Sequence, residues 1–199
     1  MPVKIEDIQK LRQQTGAGMM TAKAALEAAD GDIEKATLEL RKSGQIQAAK
    51  KSSRVVANGL IESYVHGGRI GVLVEVNCET DFVARTDDFK TFAHDVAMHI
   101  AALSPQYVRP EDIPTDIIET EKTIYTEAAG ADKPADVTQK IVAGKLEKFY
   151  SEVTLLKQPF VKNSEQTVET VMTDLVAKLG ENIVIGRFVR YEVGEDDGR

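Results

Sequence analysis

The sequence predicts an α+β protein in which a bundle of three short helices precedes an antiparallel sheet covered by helices. Two segments of alternating apolar and polar residues flank Gly67-Gly68, and a further apolar segment spans residues 183–193. Apolar residues recur at helical spacing in residues 4–44 and again in residues 87–179. Strands at both ends of a helical stretch favour one antiparallel sheet with helices packed against it.

Residues 4–44 predict three helices that must pack together, because each is too short to be stable alone. One face of the first helix carries Ile5, Ile8 and Leu11. This helix is expected to stop near Gly16. Thr21 and Asp32 are suitable N-caps for the second and third helices, and Gly44 is expected to follow the end of the third.

The bend between the first two helices contains Met19 and Met20, which supply flexible apolar surface. Both methionines could fill the core of so small a bundle. Alternatively, at least one of them is exposed as a docking patch. Residues 45–57 then form a polar, basic segment, which we interpret as a solvated linker, partly helical, rather than as a phosphate-binding patch.

Residues 59–77 predict a β-hairpin, because Gly67-Gly68 is a favoured two-residue turn between two alternating segments. With that turn, apolar residues of both strands share one face, in the pairs Val65–Ile70, Ser63–Val72 and Ile61–Val74. Tyr64 falls on the other side, opposite Gly71, where its ring can cover the bare backbone. The alternating pattern and the turn therefore support the same register.

The alternation ends at Thr80-Asp81-Phe82-Val83, where an aromatic residue follows an acid just beyond the strand. Two interpretations are open. Phe82 folds back onto the core, or an Asp-Phe tip is presented to another protein, as loops positioned by a rigid sheet often are.

Further helices are expected at residues 87–103, 115–129 and 135–153, with a last helix stopped by Gly180. The first of these has a core-facing stripe formed by Phe89, Phe92, Ala93, Val96, Ala97, Ile100 and Leu103. Both faces of the third strand, residues 183–193, hold apolar side chains, so its inward face stays open.

The composition favours a cytoplasmic protein that binds neither nucleic acid nor membrane. The 199 residues carry a formal net charge of −7, whereas nucleic-acid binding normally needs a basic face. The one cysteine, Cys78, excludes an intramolecular disulfide and suits a reducing compartment. No apolar stretch approaches the ~18 residues of a membrane span.

No constellation of residues indicates catalysis or a cofactor. His94 and His99 are five residues apart, so on one helix they point in different directions and make a poor metal pair. There is no phosphate-binding glycine loop and no nucleophile elbow. Cys78 has apolar neighbours and is expected to be buried and inert. We therefore expect neither an enzyme nor a cofactor.

Three segments resemble the bacterial elongation factor Ts family: TGAGMMTAKAAL, GLIESYVHGGRIGVLVEVNCETDFVA and KIVAGKLEKFYSEVTLLKQPFV. The likeness covers residues 5–193. It implies a guanine-nucleotide exchange factor in translation elongation, which binds elongation factor Tu in its GDP-bound and nucleotide-free states and promotes the release of GDP so that GTP can enter.

The resemblance also implies the residues that contact this partner. The N-terminal bundle is similar to a ubiquitin-associated (UBA) domain and is expected to contact the partner's nucleotide-binding domain through Met19, Met20 and Lys23. The segment Thr80-Asp81-Phe82-Val83 matches the family segment that disturbs the partner's magnesium site.

The domains expected on this basis are a UBA-like domain at 1–44, a basic linker at 45–57, an α+β core and dimerisation domain at 58–194, and an acidic tail at 195–199. Long family members carry two related core halves, whereas this chain resembles the short form with one. A homodimer in a two-to-two complex with elongation factor Tu is therefore expected.

The exposed side of the sheet, with Tyr64 and Leu73, is one place where a two-fold contact could form. Ala143 stands where the family more often has an acid, which leaves the role of that helix face open.

Two other functions are compatible with parts of the sequence. A generic UBA-like interaction adaptor would bind through residues 4–44 alone and leaves the Asp-Phe tip unexplained. A hydrolase with paired acids would need carboxylates that converge in a cleft, and the sequence does not indicate such a cleft.

Overall fold

The computed structural model describes residues 3–130 and 133–195. Its α-helices are α1 (Ile5–Thr15), α2 (Met19–Ala28), α3 (Ile33–Lys51), α4 (Asp81–Ala84), α5 (Asp87–Leu103), α6 (Thr115–Ala129), α7 (Ala135–Val153) and α8 (Val168–Leu179). Its strands are β1 (Asn58–His66), β2 (Ile70–Cys78), β3 (Pro159–Phe160), β4 (Asn163–Thr167) and β5 (Ile183–Glu192). The predicted tail lies outside the described residues except for Glu195.

The predicted α+β class is confirmed. β1, β2 and β5 form an antiparallel sheet in the order β1–β2–β5, with helices packed on it. β3 and β4 form a separate two-stranded antiparallel sheet that the sequence did not indicate, because β4 is composed of polar residues.

The chain divides into two compact units. The first is formed by the N-terminal residues through Leu60, together with Asn77–Lys90 and Thr170–Val184. The second is formed by Ile61–Val76, Thr91–Glu169 and the residues from Ile185 onward.

In the first unit, the helices α1, α2 and α3 pack around a small apolar core of Ile8, Leu11, Ala22, Leu26, Ala29 and Ala36. Asp32 caps α3 as predicted, since its Oδ1 accepts a hydrogen bond from the Lys35 N–H (3.0 Å). This bond lowers the pKa of the Asp32 carboxyl. The predicted cap of α2 is wrong, because the helix begins at Met19 with Gly18 at its N-cap, which places Thr21 inside the helix.

The predicted end of the third helix at Gly44 is also wrong. α3 continues to Lys51, so the segment interpreted as a linker is helical over its first half. Gly44 is buried within the helix, where a Cβ atom would lie only 3.2 Å from the Cβ of Ala177 in α8. Glycine at this position therefore serves close packing of two helices rather than the end of one.

The hairpin turn forms where predicted. Gly67 and Gly68 both have positive φ angles (55° and 67°), and the Arg69 N–H donates to the carbonyl oxygen of His66 (3.0 Å). β1 ends at His66 and β2 begins at Ile70, however, so three residues separate the strands instead of two.

The extra loop residue changes which side of β1 is covered. Val72 and Val74 are buried, whereas Ile61 and Val65 are 69% and 68% exposed, so the prediction that they share one apolar face is wrong. Glu62 and Tyr64 are half-buried instead and meet His94 of α5, at 3.1 Å from Glu62 Oε1 to His94 Nδ1 and 5.8 Å between the two ring centroids. Shifting the pairing of a strand by one residue turns all its side chains to the other face.

In the second unit, the buried imidazole of His99 in α5 forms hydrogen bonds with two residues outside that helix. Its Nδ1 accepts a hydrogen bond from the Val161 N–H (3.1 Å), so Nε2 carries the proton and donates to Gln158 Oε1 (2.9 Å). The Gln158 amide in turn donates to the carbonyl oxygen of Glu152 (2.8 Å). His99 thus connects α5 with the end of α7 and the β3–β4 turn. Burial lowers the pKa of this imidazole, although the Gln158 bond acts in the opposite direction.

We expect the free energy of unfolding to fall as the pH drops below neutrality, in part because of His99. Unfolded His99 takes up a proton near its ordinary pKa of 6.5, whereas the folded imidazole does so only at lower pH. The unfolded state therefore binds more protons in this window, and stability is lost as the pH falls through 6.5 toward the folded value.

Urea unfolding of the wild type and of His99→Gln, at about pH 7.5 and about pH 5.5, measures this contribution. His99→Gln should lose less stability on acidification than the wild type does. An NMR titration midpoint for His99 at or above 6.5 would contradict the prediction.

Candidate functional site

Thr80-Asp81-Phe82-Val83 forms a single exposed helical turn directly after β2. Thr80 is extended (φ −128°, ψ 158°) and caps α4, and the next residues begin the turn. Val83 and Ala84 are buried, whereas Phe82 is 79% exposed, because successive residues of a helix point about 100° apart. The interpretation that Phe82 folds back onto the core is therefore wrong. An aromatic ring is presented to solvent on an anchored turn.

Asp81 lies beside this ring and is paired in the free protein. Its Oδ2 is 2.9 Å from Arg85 Nη2, and both side chains are more than half exposed. Ion pairs at such exposed positions contribute roughly 0–1 kcal/mol. Asp81 can therefore exchange Arg85 for another cation at little cost in free energy.

Behind the turn, the segments Glu79-Thr80 and Glu181-Asn182 are joined by hydrogen bonds that run in both directions. The Glu181 carboxylate accepts from the Thr80 N–H at Oε2 (3.0 Å) and from the Thr80 hydroxyl at Oε1 (2.7 Å). In the opposite direction, Glu79 Oε1 accepts from the Asn182 N–H (2.7 Å). We call this group of Glu79, Thr80, Glu181 and Asn182 the clasp. Each side chain accepts from the backbone of the other segment, so neither segment can shift alone.

The clasp also holds the chain that follows α3. The Asn182 side-chain amide donates to the carbonyl oxygens of Ser52 (3.3 Å) and Arg54 (3.0 Å). Arg54 Nη1 donates to Glu79 Oε1 (3.3 Å). The bond from the Asn182 N–H, reinforced by Arg54, holds the pKa of the Glu79 carboxyl below its usual value in spite of desolvation. Glu79 is therefore an ionised acceptor at neutral pH.

Cys78 lies next to the clasp and is buried, as predicted. Its thiol donates to the carbonyl oxygen of Thr80 (3.1 Å). Burial, and next the negative charge of Glu181, raise the pKa of the thiol. A thiol in this state is a poor nucleophile, so Cys78 has a structural role.

Glu181 and Asn182 could not be identified as site residues from the sequence. Glu181 lies 101 residues beyond Thr80, and nothing local distinguishes it from the other acids of the chain. The one signal nearby is Gly180, whose positive φ (79°) ends α8 and turns the chain into this segment.

The two methionines are surface residues. Met20 is 75% exposed and Met19 about half exposed, and neither belongs to the buried core of the bundle. Lys23, one turn further along α2, lies 3.7 Å from Glu27 in an exposed pair. The interpretation that both methionines fill the core is therefore wrong, and their role in binding stays a prediction.

The described residues contain no group of three or more histidine, cysteine or acidic side chains arranged to hold a metal ion. Across residues 3–130 and 133–195, no helix combines the length and apolar character that crossing a bilayer requires.

Comparison with known proteins gives one consistent result. The family described as Elongation factor TS matches residues 3–195. The elongation factor Ts of Carboxydothermus hydrogenoformans is 57% identical over 190 residues, which cover 94% of this chain and 88% of that protein. Those of Moorella thermoacetica (53% identical; 95% of this chain and 94% of that protein) and Thermodesulfovibrio yellowstonii (50%; 98% of each) match over similar lengths.

The exposure of Phe82 predicts that its ring contributes little to folding. Phe82→Ala should leave the melting temperature almost unchanged. Phe89→Ala is a matched control, because Phe89 is fully buried seven positions further along, and losing such a ring destabilises a protein by about 3–5 kcal/mol. Thermal and urea unfolding of both variants test this contrast. Equal destabilisation by the two substitutions would show that Phe82 packs into the core in solution.

Proposed function

The chain belongs to the elongation factor Ts family, the nucleotide exchange factors of elongation factor Tu, and we propose that it acts on this partner through the Thr80-Asp81-Phe82-Val83 tip. An exchange factor is not an enzyme, because it changes no covalent bond of the nucleotide. A translation factor works in the cytoplasm, the location that the single cysteine also favours. The observation that carries the proposal is the Phe82 ring, exposed on a turn that the clasp anchors.

Release of GDP requires only differential binding. The factor must bind the nucleotide-free conformation of elongation factor Tu more tightly than the GDP-bound one. Coupling between the two sites is reciprocal, so GDP weakens the binding of the factor by the same ratio by which the factor weakens the binding of GDP. Residues that recognise one conformation of the partner are therefore sufficient for exchange.

Phe82 supplies the apolar part of this recognition. A rigid aromatic ring that enters a gap between two packed helices favours the arrangement in which the gap exists. Truncating such a buried aromatic anchor at an interface typically weakens binding by about 2 kcal/mol or more. Asp81 supplies the charge, because its carboxylate leaves Arg85 and perturbs the region of the partner that holds the magnesium ion of the nucleotide.

The N-terminal bundle supplies a second contact. Met19 and Met20 present flexible apolar surface beside the cation of Lys23, and all three lie in the first two turns of α2. We assign to this surface the contact with the nucleotide-binding domain of elongation factor Tu, as a UBA-like domain of the family would make it. The rival adaptor function uses the same surface but leaves the exposure of Phe82 without a purpose.

A homodimer is proposed on the uncovered side of the second unit's sheet. The ion pair between Glu75 and Arg187 (2.9 Å) places these two residues on one face, and by the alternation of a strand Leu73, Val189 and Tyr191 lie on the same face. That face, which we call the open face, carries five exposed apolar residues: Ile61, Val65, Leu73, Val189 and Tyr191. Tyr64 does not belong to it, because its ring packs on His94. The expectation that Tyr64 lies on the exposed side of the sheet together with Leu73 is therefore wrong.

Exposed apolar residues gathered on one face of a soluble protein commonly mark an interaction surface. A two-fold pairing of open faces would cover it with the same residues from a second copy. Since the chain has a single core module, such a pair would present two cores to two copies of elongation factor Tu.

Phe82→Ala should slow the release of fluorescent GDP from purified elongation factor Tu and weaken complex formation by about 2 kcal/mol or more. Asp81→Asn keeps the shape of the side chain, so complex formation should suffer less, while the dependence of exchange on magnesium concentration changes. Val161→Ala, which shortens an exposed apolar side chain elsewhere, is the control and should act like the wild type. A Phe82→Ala variant with the wild-type exchange rate would contradict the proposed role of the tip.

Light scattering of the complex tests the dimer. The wild type should form a two-to-two complex with elongation factor Tu, and Leu73→Glu, which places a charge on the open face, should reduce it to one-to-one. Leu38→Glu, at a similarly exposed leucine of α3, is the matched control and should leave the stoichiometry at two-to-two. A wild-type complex that is one-to-one at working concentrations counts against the dimer.

A further inference from the structure

We propose that Glu181 is a positioning residue for nucleotide exchange: its carboxylate holds the amide and hydroxyl of Thr80 and thereby fixes the direction in which Phe82 leaves the surface. This inference rests on the proposed function of the tip. It assigns a role in exchange to a residue that lies outside the tip.

The geometry of the contact requires a carboxylate. Thr80 offers two donors on one side, and Glu181 meets each with a separate oxygen at 3.0 and 2.7 Å. A carboxylate has two acceptor oxygens and no donor, so it satisfies both at once, and hydrogen bonds to a charged acceptor are about twice as strong as neutral ones. Thr80 is thereby held at its backbone and at its side chain together.

This hold passes directly to the helical turn that carries Phe82. With its proton donated to Glu181, the Thr80 hydroxyl turns a lone pair toward the Val83 N–H (3.5 Å). The Thr80 carbonyl oxygen accepts from the Ala84 N–H (3.4 Å), which closes the turn. Both bonds are long and therefore weak. The turn α4 thus depends on the hydrogen bonds by which Glu181 holds Thr80. Phe82 projects from the middle of this turn, and its direction follows the orientation of Thr80.

The segment of Glu181 is itself fixed from two sides. The Asn182 N–H donates to Glu79, and the Asn182 side chain donates to the chain that follows α3, at Ser52 and Arg54. Glu181 therefore acts from a rigid base. A loose tip would have to be ordered at the moment of binding, and ordering a turn reduces the binding free energy left for opening the partner.

The test measures GDP release from elongation factor Tu over a range of factor concentrations, which separates the maximal rate from the concentration that gives half of it. Glu181→Ala should lower the maximal rate by about tenfold or more, as expected for the loss of hydrogen bonds to a charged group. The half-maximal concentration should change much less, since the surfaces of Phe82 and the N-terminal bundle remain. Glu165→Ala removes an exposed carboxylate on β4 and should behave as the wild type.

A double-variant cycle separates positioning from direct contact with the partner. If Glu181 acts through Thr80, the losses caused by Thr80→Val and Glu181→Ala should be clearly less than additive in the double variant, because both substitutions remove the bond between the Thr80 hydroxyl and the Glu181 carboxylate. Additive losses would mean that Glu181 contacts the partner itself, which would overturn the positioning role. A folded Glu181→Ala with the wild-type maximal rate would overturn it as well.

Two further measurements complete the experiment. Should Glu181→Ala not fold, hydrogen exchange of the Thr80 amide in the wild type decides: protection supports the contact, and exchange at the rate of an unstructured peptide overturns it. Phe82→Ala in the same assay keeps the two proposals apart. If Phe82→Ala slows exchange and Glu181→Ala does not, only the role of Glu181 is wrong. If Phe82→Ala has no effect, the proposed function of the tip has failed.

Discussion

The reciprocal hydrogen bonds between Glu79-Thr80 and Glu181-Asn182 are the constraint on which the rest of the site depends. They join the end of β2 to the segment after α8, across 101 residues of sequence. Because each segment supplies both a carboxylate and a backbone N–H, all four groups are satisfied together and the junction has one arrangement. The Asn182 side chain extends this arrangement to the chain that follows the N-terminal bundle. The turn that carries the exposed Phe82 ring is therefore held in place.

An exposed ring on an anchored turn suits a protein that acts by binding and not by chemistry. The free energy available for releasing GDP is the difference between the affinities of the factor for two conformations of elongation factor Tu. Every degree of freedom that the tip loses on binding reduces that difference. The buried neighbours of Phe82 and the clasp remove this freedom before the partner arrives. Asp81, in contrast, is held only by an exposed ion pair and stays free to exchange Arg85 for another cation.

Sequence periodicity predicted the fold class, the strands β1, β2 and β5, and the core stripe of α5, because each depends on a local repeat of apolar residues. Within that stripe the prediction is wrong for Leu103, which is 43% exposed near the end of α5. Periodicity failed where one residue decides the result: a third loop residue turned Ile61 outward, and Gly44 lies within a helix that it was expected to end. The tip could be located from the sequence, since the alternation stops there. The exposure of Phe82 and the contact between Glu181 and Thr80 could not be predicted from the sequence, because both depend on tertiary structure that leaves no periodic signal.

The central claim is that Phe82 is exposed in the free factor and buried in the complex. Fluorine NMR of the factor with 4-fluorophenylalanine at this position alone measures this most directly. In the free protein the signal should respond to exchanging water for heavy water, as an exposed ring does. On binding nucleotide-free elongation factor Tu it should shift and lose that response, while the same label at the buried Phe89 should remain insensitive throughout. A signal at Phe82 that keeps its position and its solvent response in the complex would contradict the claim.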